Sequence, residues 1–403
     1  MSDNATLPTL EKLEVASWRD KIFPLALWAI ILGLLFRPLL WNDWLQIKAA
    51  INPAALSYSW KLLGMDILCV GIVFVVLYWL ILGRIGFIAL NTFREAVRNR
   101  ILYFILFFAI VLMMASGVVK ELAISASTRI VTDIGLTSIS FFGLMAAVFA
   151  GISLVYNELE RKTIYTIVSK PVHRYQFLLG KYFGLLLTIY VIVAIMSLFF
   201  FLVFNYQANT SDEVLEKVLY ATNTSGQMQM VDHPGLVKAV FLLKAVVKSF
   251  GQSVGNLFGF ATGAVSPNLL VAIALIGLRL MIVTAIAVFF SSFSTPALSA
   301  VFTVMLFMAG TLNEDILRFG MHLRETAIKE AAGAAIPLAA YIKVNLAYLA
   351  ALVVPNLDSL DVNSEILHGD KVNVWRFSVL YAFSYTGIVL LGAILIFRKR
   401  NFK

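Results

Sequence analysis

Cysteine is almost absent from this chain: Cys69 stands alone among 403 residues. A lone thiol excludes an intramolecular disulfide and a cysteine metal cluster, and within an apolar run it reads as a small packed or lipid-facing hydrophobe. Histidine is scarce as well. His173, His233, His322 and His368 fall in separate polar stretches without metal-ligand spacing, and no His-Glu-x-x-His pattern occurs. No glycine-rich run ends in Gly-Lys-Ser/Thr, so the chain lacks a P-loop to cradle ATP phosphates, and any ATPase has to be a separate polypeptide. No Ser, His and acid set can be given a catalytic arrangement. The sequence therefore predicts a protein that is not itself an enzyme and binds no cofactor and no metal. Charge is thin too, at 14% of residues.

Apolar side chains are abundant. They make up 60% of the residues, far more than a soluble domain of this length could bury, and the fold class they predict is an all-α polytopic membrane protein. A net charge of +9 would suggest nucleic acid in a soluble protein. In a membrane protein the positive-inside rule accounts for much of it, and no nucleic-acid partner is expected. Met1 to Lys21 is polar, with Glu11, Glu14, Arg19 and Asp20, and lacks the basic-then-apolar form of a cleavable signal peptide.

Two hydrophobic helices are predicted in residues 1–83. Phe23 to Trp41 is apolar apart from Arg37, which can snorkel; Leu62 to Gly83 places Tyr78 and Trp79 where an aromatic belt would lie. Residues 84–100, RIGFIALNTFREAVRNR, differ in kind. Ile85, Ile88, Leu90, Phe93 and Val97 form an apolar side and Arg84, Asn91, Arg94, Glu95 and Arg98 a polar one, with Arg100 at the end. This is an amphipathic helix suited to the cytoplasmic headgroup region, where each Lys or Arg near anionic lipid contributes about 1 kcal/mol.

Six further spans follow: Ile101 to Val119, Ile134 to Tyr156, Leu178 to Phe204, Asn268 to Phe290, Pro296 to Leu312 and Phe377 to Phe397. Eight spans put both termini on one side. The basic helix, the basic residues near 161–174 and the tail Arg398-Lys399-Arg400-Asn401-Phe402-Lys403 then all fall in the cytoplasm, as the positive-inside rule requires. Leu236 to Val247, with Lys238, Lys244 and Lys248 on one arc, reads as an interfacial helix. Ala331 to Val354, weakened by Pro337, Lys343 and Asn345, reads as a surface or re-entrant helix. The outer side receives two long loops, 206–267 and 313–376, long enough to hold short helices or to contact an extracytoplasmic partner. Asn209 and Asn223 each open an N-x-Ser/Thr pattern, which reads as chance.

The stretch NELERKTIYTIVSKPVHRYQFLLGK, Asn157 to Lys181, interrupts two long apolar runs with a polar loop, 157–177. Pro171 disfavours helix at Lys170 and predicts a helix, a turn over Ser169 to Pro171, and the start of the next span. Its order of residues is specific: Glu158 and Glu160, Arg161, Lys162 and Thr163, a short apolar segment, Lys170-Pro171, Arg174, then Leu179-Gly180-Lys181. In this order the chain resembles the first cytoplasmic loop of type-2 ATP-binding-cassette (ABC) exporter permeases, closest to the group that serves copper-enzyme maturation. The segment Val354-Pro355-Asn356-Leu357-Asp358-Ser359-Leu360-Asp361 and the tail from Phe397 to Phe402 are similar to that group as well.

The resemblance covers about residues 84–403 and leaves the first two hydrophobic helices outside. It implies a six-span permease core over 101–403, preceded by an elbow helix over 84–100. It implies a coupling helix in the 157–177 loop that rests on a separate ATPase carrying Mg-ATP, and a second copy of this chain or a related permease as partner. It also implies export across the inner (cytoplasmic) membrane. Where the family usually has glycine before the threonine, this chain has Lys162, which accepts a helical backbone but not a left-handed turn. Without the resemblance, a second class stays open: an ATP-independent scaffold or channel whose outer loops bind a partner.

One charge inside a span needs an account. Arg279 sits near the middle of Asn268 to Phe290, where insertion costs about 2.5 kcal/mol or more unless the group faces protein or a polar cavity. It is either a pathway residue that meets an anionic substrate or a paired residue that fixes helix packing.

Overall fold

The computed structural model describes residues 84–122, 127–160, 174–210, 220–222, 228–230, 234–258, 260, 262–331, 338–363 and 375–399. The two N-terminal hydrophobic helices, most of the polar loop (161–173) and the last four residues lie outside these. In chain order the described elements are α1 (Arg84–Val97), α2 (Arg100–Leu122), α3 (Ser127–Glu160), α4 (Arg174–Asn209), the strands β1 (Tyr220–Thr222) and β2 (Met228–Met230), α5 (Pro234–Leu257), α6 (Pro267–Ser291), α7 (Pro296–Thr311), α8 (Asn313–Ala331), α9 (Leu338–Val353), a 3₁₀ turn (Asp358–Leu360) and α10 (Trp375–Lys399). The two strands form a small antiparallel hairpin with Ala221 opposite Gln229.

Five of the described helical stretches are long and apolar enough to cross a membrane: Arg129–Gly151, Arg174–Asn209, Pro267–Ser291, Ala340–Leu360 and Ser378–Arg398. Two bent pairs, Ile85–Val97 with Arg100–Ser116 at 65° and Pro296–Thr311 with Asn313–Lys329 at 60°, bring the number to seven if each is one span. The chain is thus predominantly helical, with the apolar helices of a multi-pass membrane protein.

Helix α6 is the centre. It begins where Ser266 Oγ accepts from the Leu269 N–H and Pro267 occupies the first helical position, where its missing donor costs nothing. Every residue from Leu269 to Val288 is buried, as a helix that is hydrophobic all round requires. Helices α3, α4, α7 and α10 surround it. Hydroxyls among these helices are satisfied within their own helix: Ser138 donates to Ile134 O, Thr188 to Gly184 O, Ser197 to Val193 O and Thr284 to Leu280 O. Outward faces are apolar: Phe104 and Phe107 on α2, Met305 and Met308 on α7, and Ile388, Leu391 and Leu395 on α10 are all exposed. This arrangement suits lipid as solvent.

Several predicted boundaries shift. Pro296 to Leu312 reads as a full span, yet α7 has 16 residues, about 24 Å of helix against an apolar core of about 30 Å. Within 331–354 the described helical residues are Ala331, the last of α8, and Leu338–Val353 of α9. Helix α9 runs back along α8, with Asn313 Nδ2 donating to Ala351 O and Val354 O at 2.9 and 3.0 Å. The α8–α9 hairpin therefore leaves and rejoins the bundle at the same end of α7, and adds no net crossing. The 206–267 loop holds the last turn of α4, the strand hairpin and α5, whose buried Ser249 and Ser253 face α4, while Asn256 accepts from Thr262. Asn209 donates to Ser249 Oγ and Gln252 Oε1, both at 2.9 Å, so its amide is engaged in helix contact.

Helices α1 and α4 meet at backbone distance. A Cβ built on Gly180 would stand 2.6 Å from Ile88 Cβ, and one on Gly184 would stand 2.6 Å from Thr92 Cβ and against the Ala89 carbonyl. Gly180 and Gly184 form a G-x-x-x-G step, and the small residues permit the approach. Gly184→Leu is expected to separate the helices and lower stability by about 1–3 kcal/mol. Gly387→Ala, where a Cβ meets nothing within 4 Å, is expected to be neutral or stabilising. Thermal unfolding of the detergent-solubilised protein distinguishes the two.

Candidate functional site

Two places combine polar chemistry with the apolar bundle. The first is the end where α1, the start of α4 and the end of α10 converge. Helix α1 is amphipathic, but its apolar side is spent mainly on protein: Ile85, Thr92 and Ala96 are buried, and Ile88 and Phe93 pack on the core. This differs from the expectation of a helix laid on lipid, and the cause is the α4 glycine step, which offers α1 a closer fit than a headgroup layer does. Phe87 and Val97 stay exposed beside Arg94 and Arg98, so a narrow outward strip keeps the basic amphipathic character.

Arg84 opens α1 and Arg100 opens α2 after the 65° bend. Lys181, almost fully buried, reaches Glu95 Oε2 at 3.8 Å and lies 5.7 Å from the Phe177 ring centroid. Arg174 Nη1 donates to the Arg398 carbonyl at 3.1 Å, and Phe177 stacks on Phe397 with centroids 6.2 Å apart and planes 16° apart. The polar loop is carried here. Glu158 and Glu160 belong to the last turn of α3, and Arg174 to the first turn of α4. Arg161, Lys162, Thr163, Lys170 and Pro171 lie outside the described residues.

The second place is the middle of α6. Arg279 Nη1 donates to Asp361 Oδ2 at 3.0 Å, and its guanidinium carbon lies 4.8 Å from the Phe307 ring centroid on α7. Arg279 is thus paired and stacked, with a counter-charge that its desolvation demands. Of the two sequence readings, packing is the one this geometry supports.

Asp361 is held by the segment that joins α9 to α10. Leu357, fully buried, donates its N–H to Gly310 O at 3.0 Å. A Cβ on Gly310 would stand 2.8 Å from Pro355 O, so only glycine lets the segment lie there. The Asn356 N–H donates to Tyr381 Oη at 2.6 Å, and Asn356 Oδ1 accepts from the Ser359 N–H at 3.1 Å. Ser378 Oγ donates to Ser359 O, and Tyr385 Oη to Val353 O. The Gly310 carbonyl of α7 and side chains of α10 thereby satisfy a segment whose backbone lipid could not serve.

No protein-family model matches this chain. No curated protein matches it either. Sequence reasoning picked out Arg279 and the Pro-Asn-Leu-Asp segment separately and did not join them. A lone intramembrane arginine and an acidic pair in a polar segment were the available signal. Gly184 was passed over, although its spacing from Gly180 in an apolar stretch is a helix-packing pattern. Among the described residues no group of three or more His, Cys, Asp or Glu side chains could hold a metal ion.

Tyr381→Phe removes the acceptor of a largely enclosed N–H and is expected to cost about 1–3 kcal/mol. Tyr385→Phe, whose hydroxyl donates to a carbonyl at the more open end of α9, is expected to cost about 0.5–1.5 kcal/mol. Urea or heat titration of both variants in one detergent checks the order.

Proposed function

We propose that this chain is the membrane-spanning permease subunit of an ABC transporter. Its expected direction is export, and a separate ATPase docking on the 157–177 loop drives it. The observation that carries the reading is mechanical. The helix that leaves this loop, α4, is bound within its first three turns to α1 through Gly180 and Gly184, and to α10 through Arg174 and Phe177. A push delivered at Arg174 is passed on to α4, α1 and α10 together. Helix α4 is 36 residues long, about 54 Å, so a tilt at its start becomes a displacement at the far end of the bundle.

In this reading Mg-ATP is bound and hydrolysed by the partner. This chain contributes docking charge and a rigid lever: Glu158 and Glu160 set register against basic groups of the ATPase, and Lys170, Pro171 and Arg174 bring the chain back to the membrane. The main gain from such charges is steering and specificity. Two permease chains would enclose the pathway, with Arg94, Arg98 and Arg100 facing the partner or the anionic leaflet beside it. The expected orientation, with both termini cytoplasmic, rests on the positive-inside rule, and the inner membrane rests on the family resemblance.

Affinity purification of the tagged chain in mild detergent, read by mass spectrometry and ATP hydrolysis, tests the proposal. An ATPase is expected to copurify with the native chain and to be lost, by tenfold or more in yield (about 1.4 kcal/mol), from the Glu158→Lys, Glu160→Lys variant. Failure of any ATPase to copurify across several mild detergents would contradict it and favour the scaffold reading.

A further inference from the structure

Arg279 lies twelve residues from either end of α6, about 18 Å from each, and so at the centre of a helix just long enough to span. Its contacts fix the level of everything they touch. Phe307 and Gly310 on α7, and the segment from Pro355 to Asp361, sit beside this midpoint; α7 then ends at Thr311 and the chain bends 60° into α8. Four carboxylates lie around this level. Glu314 and Asp315 open α8; Asp358 opens the 3₁₀ turn and Asp361 follows it; and Asp358 is within electrostatic reach of the other three and of Arg279.

These carboxylates are not packed away. The Asp361 side chain is 34% exposed and that of Glu314 47%, and Asp315 is exposed. At the depth of a helix midpoint an exposed carboxylate cannot face hydrocarbon; it faces water or another polar surface. Behind them lies an incompletely satisfied guanidinium: Arg279 is 95% buried, and its Nε, closed off from solvent, has no hydrogen-bond partner among the described residues. Asp361 is the acceptor through which the buried charge meets the exposed carboxylates.

We propose that a water-filled recess enters the membrane beside the start of α8 and reaches Asp361, in front of the buried Arg279, and that it admits cationic solutes in preference to anionic ones. The sign follows from the lining, where four carboxylates stand against two guanidinium groups, Arg279 and Arg318, the latter paired with Glu314 at 3.2 Å. A narrow low-dielectric cleft concentrates such a field. Asp361, paired from behind by Arg279, forms the floor of the recess, and Asp358, Glu314 and Asp315 stand along its wall. The inference does not depend on the ATPase reading. A scaffold or channel could carry the same recess.

The lone cysteine makes the test simple. In a Cys69→Ala background, Ser359→Cys, Asn363→Cys and the outward-facing Leu391→Cys are made in the full chain, in native membrane vesicles of both orientations. Each is treated with membrane-impermeant methanethiosulfonates bearing a trimethylammonium or a sulfonate group. Ser359→Cys or Asn363→Cys is expected to react from the side opposite Arg398. Its cationic-to-anionic rate ratio should be about tenfold above that of a free thiol in the same buffer. Neutralising Glu314, Asp315 and Asp358 to the amides should return the ratio to the free-thiol value, while Leu391→Cys should be inert.

Size-exclusion profiles report that each variant is folded. If both segment positions are as inert as Leu391→Cys, the carboxylates are covered, by a second copy or by closed packing, and the proposal fails. A rate ratio no higher than that of the free thiol overturns it as well.

Discussion

Much of this structure depends on the ion pair of one buried arginine. A guanidinium at the midpoint of a helix buried on every side cannot snorkel to either surface, so its counter-charge has to be brought to it. Asp361 is that charge, and a non-helical segment has to enter the bundle to deliver it. Once the segment lies against α6, other features follow. Helix α7 stops short so that the segment can pass its last turn at Gly310. The α8–α9 hairpin returns to where it began, with Asn313 satisfying the carbonyls that α9 exposes as it ends. Tyr381 and Tyr385 turn their hydroxyls toward a backbone that would otherwise lack partners. The pair alone adds little net stability, because desolvation offsets most of its attraction. What it fixes is the path of the chain.

The opposite end of the bundle is built on contact rather than charge. Gly180 and Gly184 let α1 touch the backbone of α4, and Phe177 on Phe397 ties in α10. Residues around this end are basic and mostly exposed, which fits both an anionic leaflet and an acidic face of a partner. In the proposed reading the two ends divide the labour: the basic end would receive force from the ATPase, and the polar segment at mid-depth would meet what is moved. The long helices α3, α4, α6 and α10 connect them.

Much of the fold was legible in the sequence because hydrophobic length is a strong signal. The six core stretches, Ile101 to Val119 through Phe377 to Phe397, each coincide with a described helix, and the break after Val97 falls near the end of the expected amphipathic element. Shape escaped. Periodicity says that α6 is apolar all round but not that it is central, and length says that Ala331 to Val354 could span but not that α9 is a return arm. Pairing escaped for a similar reason: Arg279 and Asp361 stand 82 residues apart, and nothing local marks them as partners. The amphipathic pattern of α1 was read correctly as a pattern. Its apolar side found α4 before it found lipid, a choice made by two glycines nearly a hundred residues away. The docking residues from Arg161 to Pro171 rest on sequence alone.

The most direct test of the account is a double-mutant cycle on the central pair, read by reversible unfolding in detergent. Arg279→Met, Asp361→Leu and the double variant each change a charge to an apolar group of similar bulk. The account predicts that Asp361→Leu alone is the most damaging, by about 3–5 kcal/mol, because it strands a buried guanidinium. The double variant should recover at least about 1–3 kcal/mol of that loss. If the two single effects simply add, Arg279 does not depend on Asp361, and the segment is held in the bundle by something other than this pair.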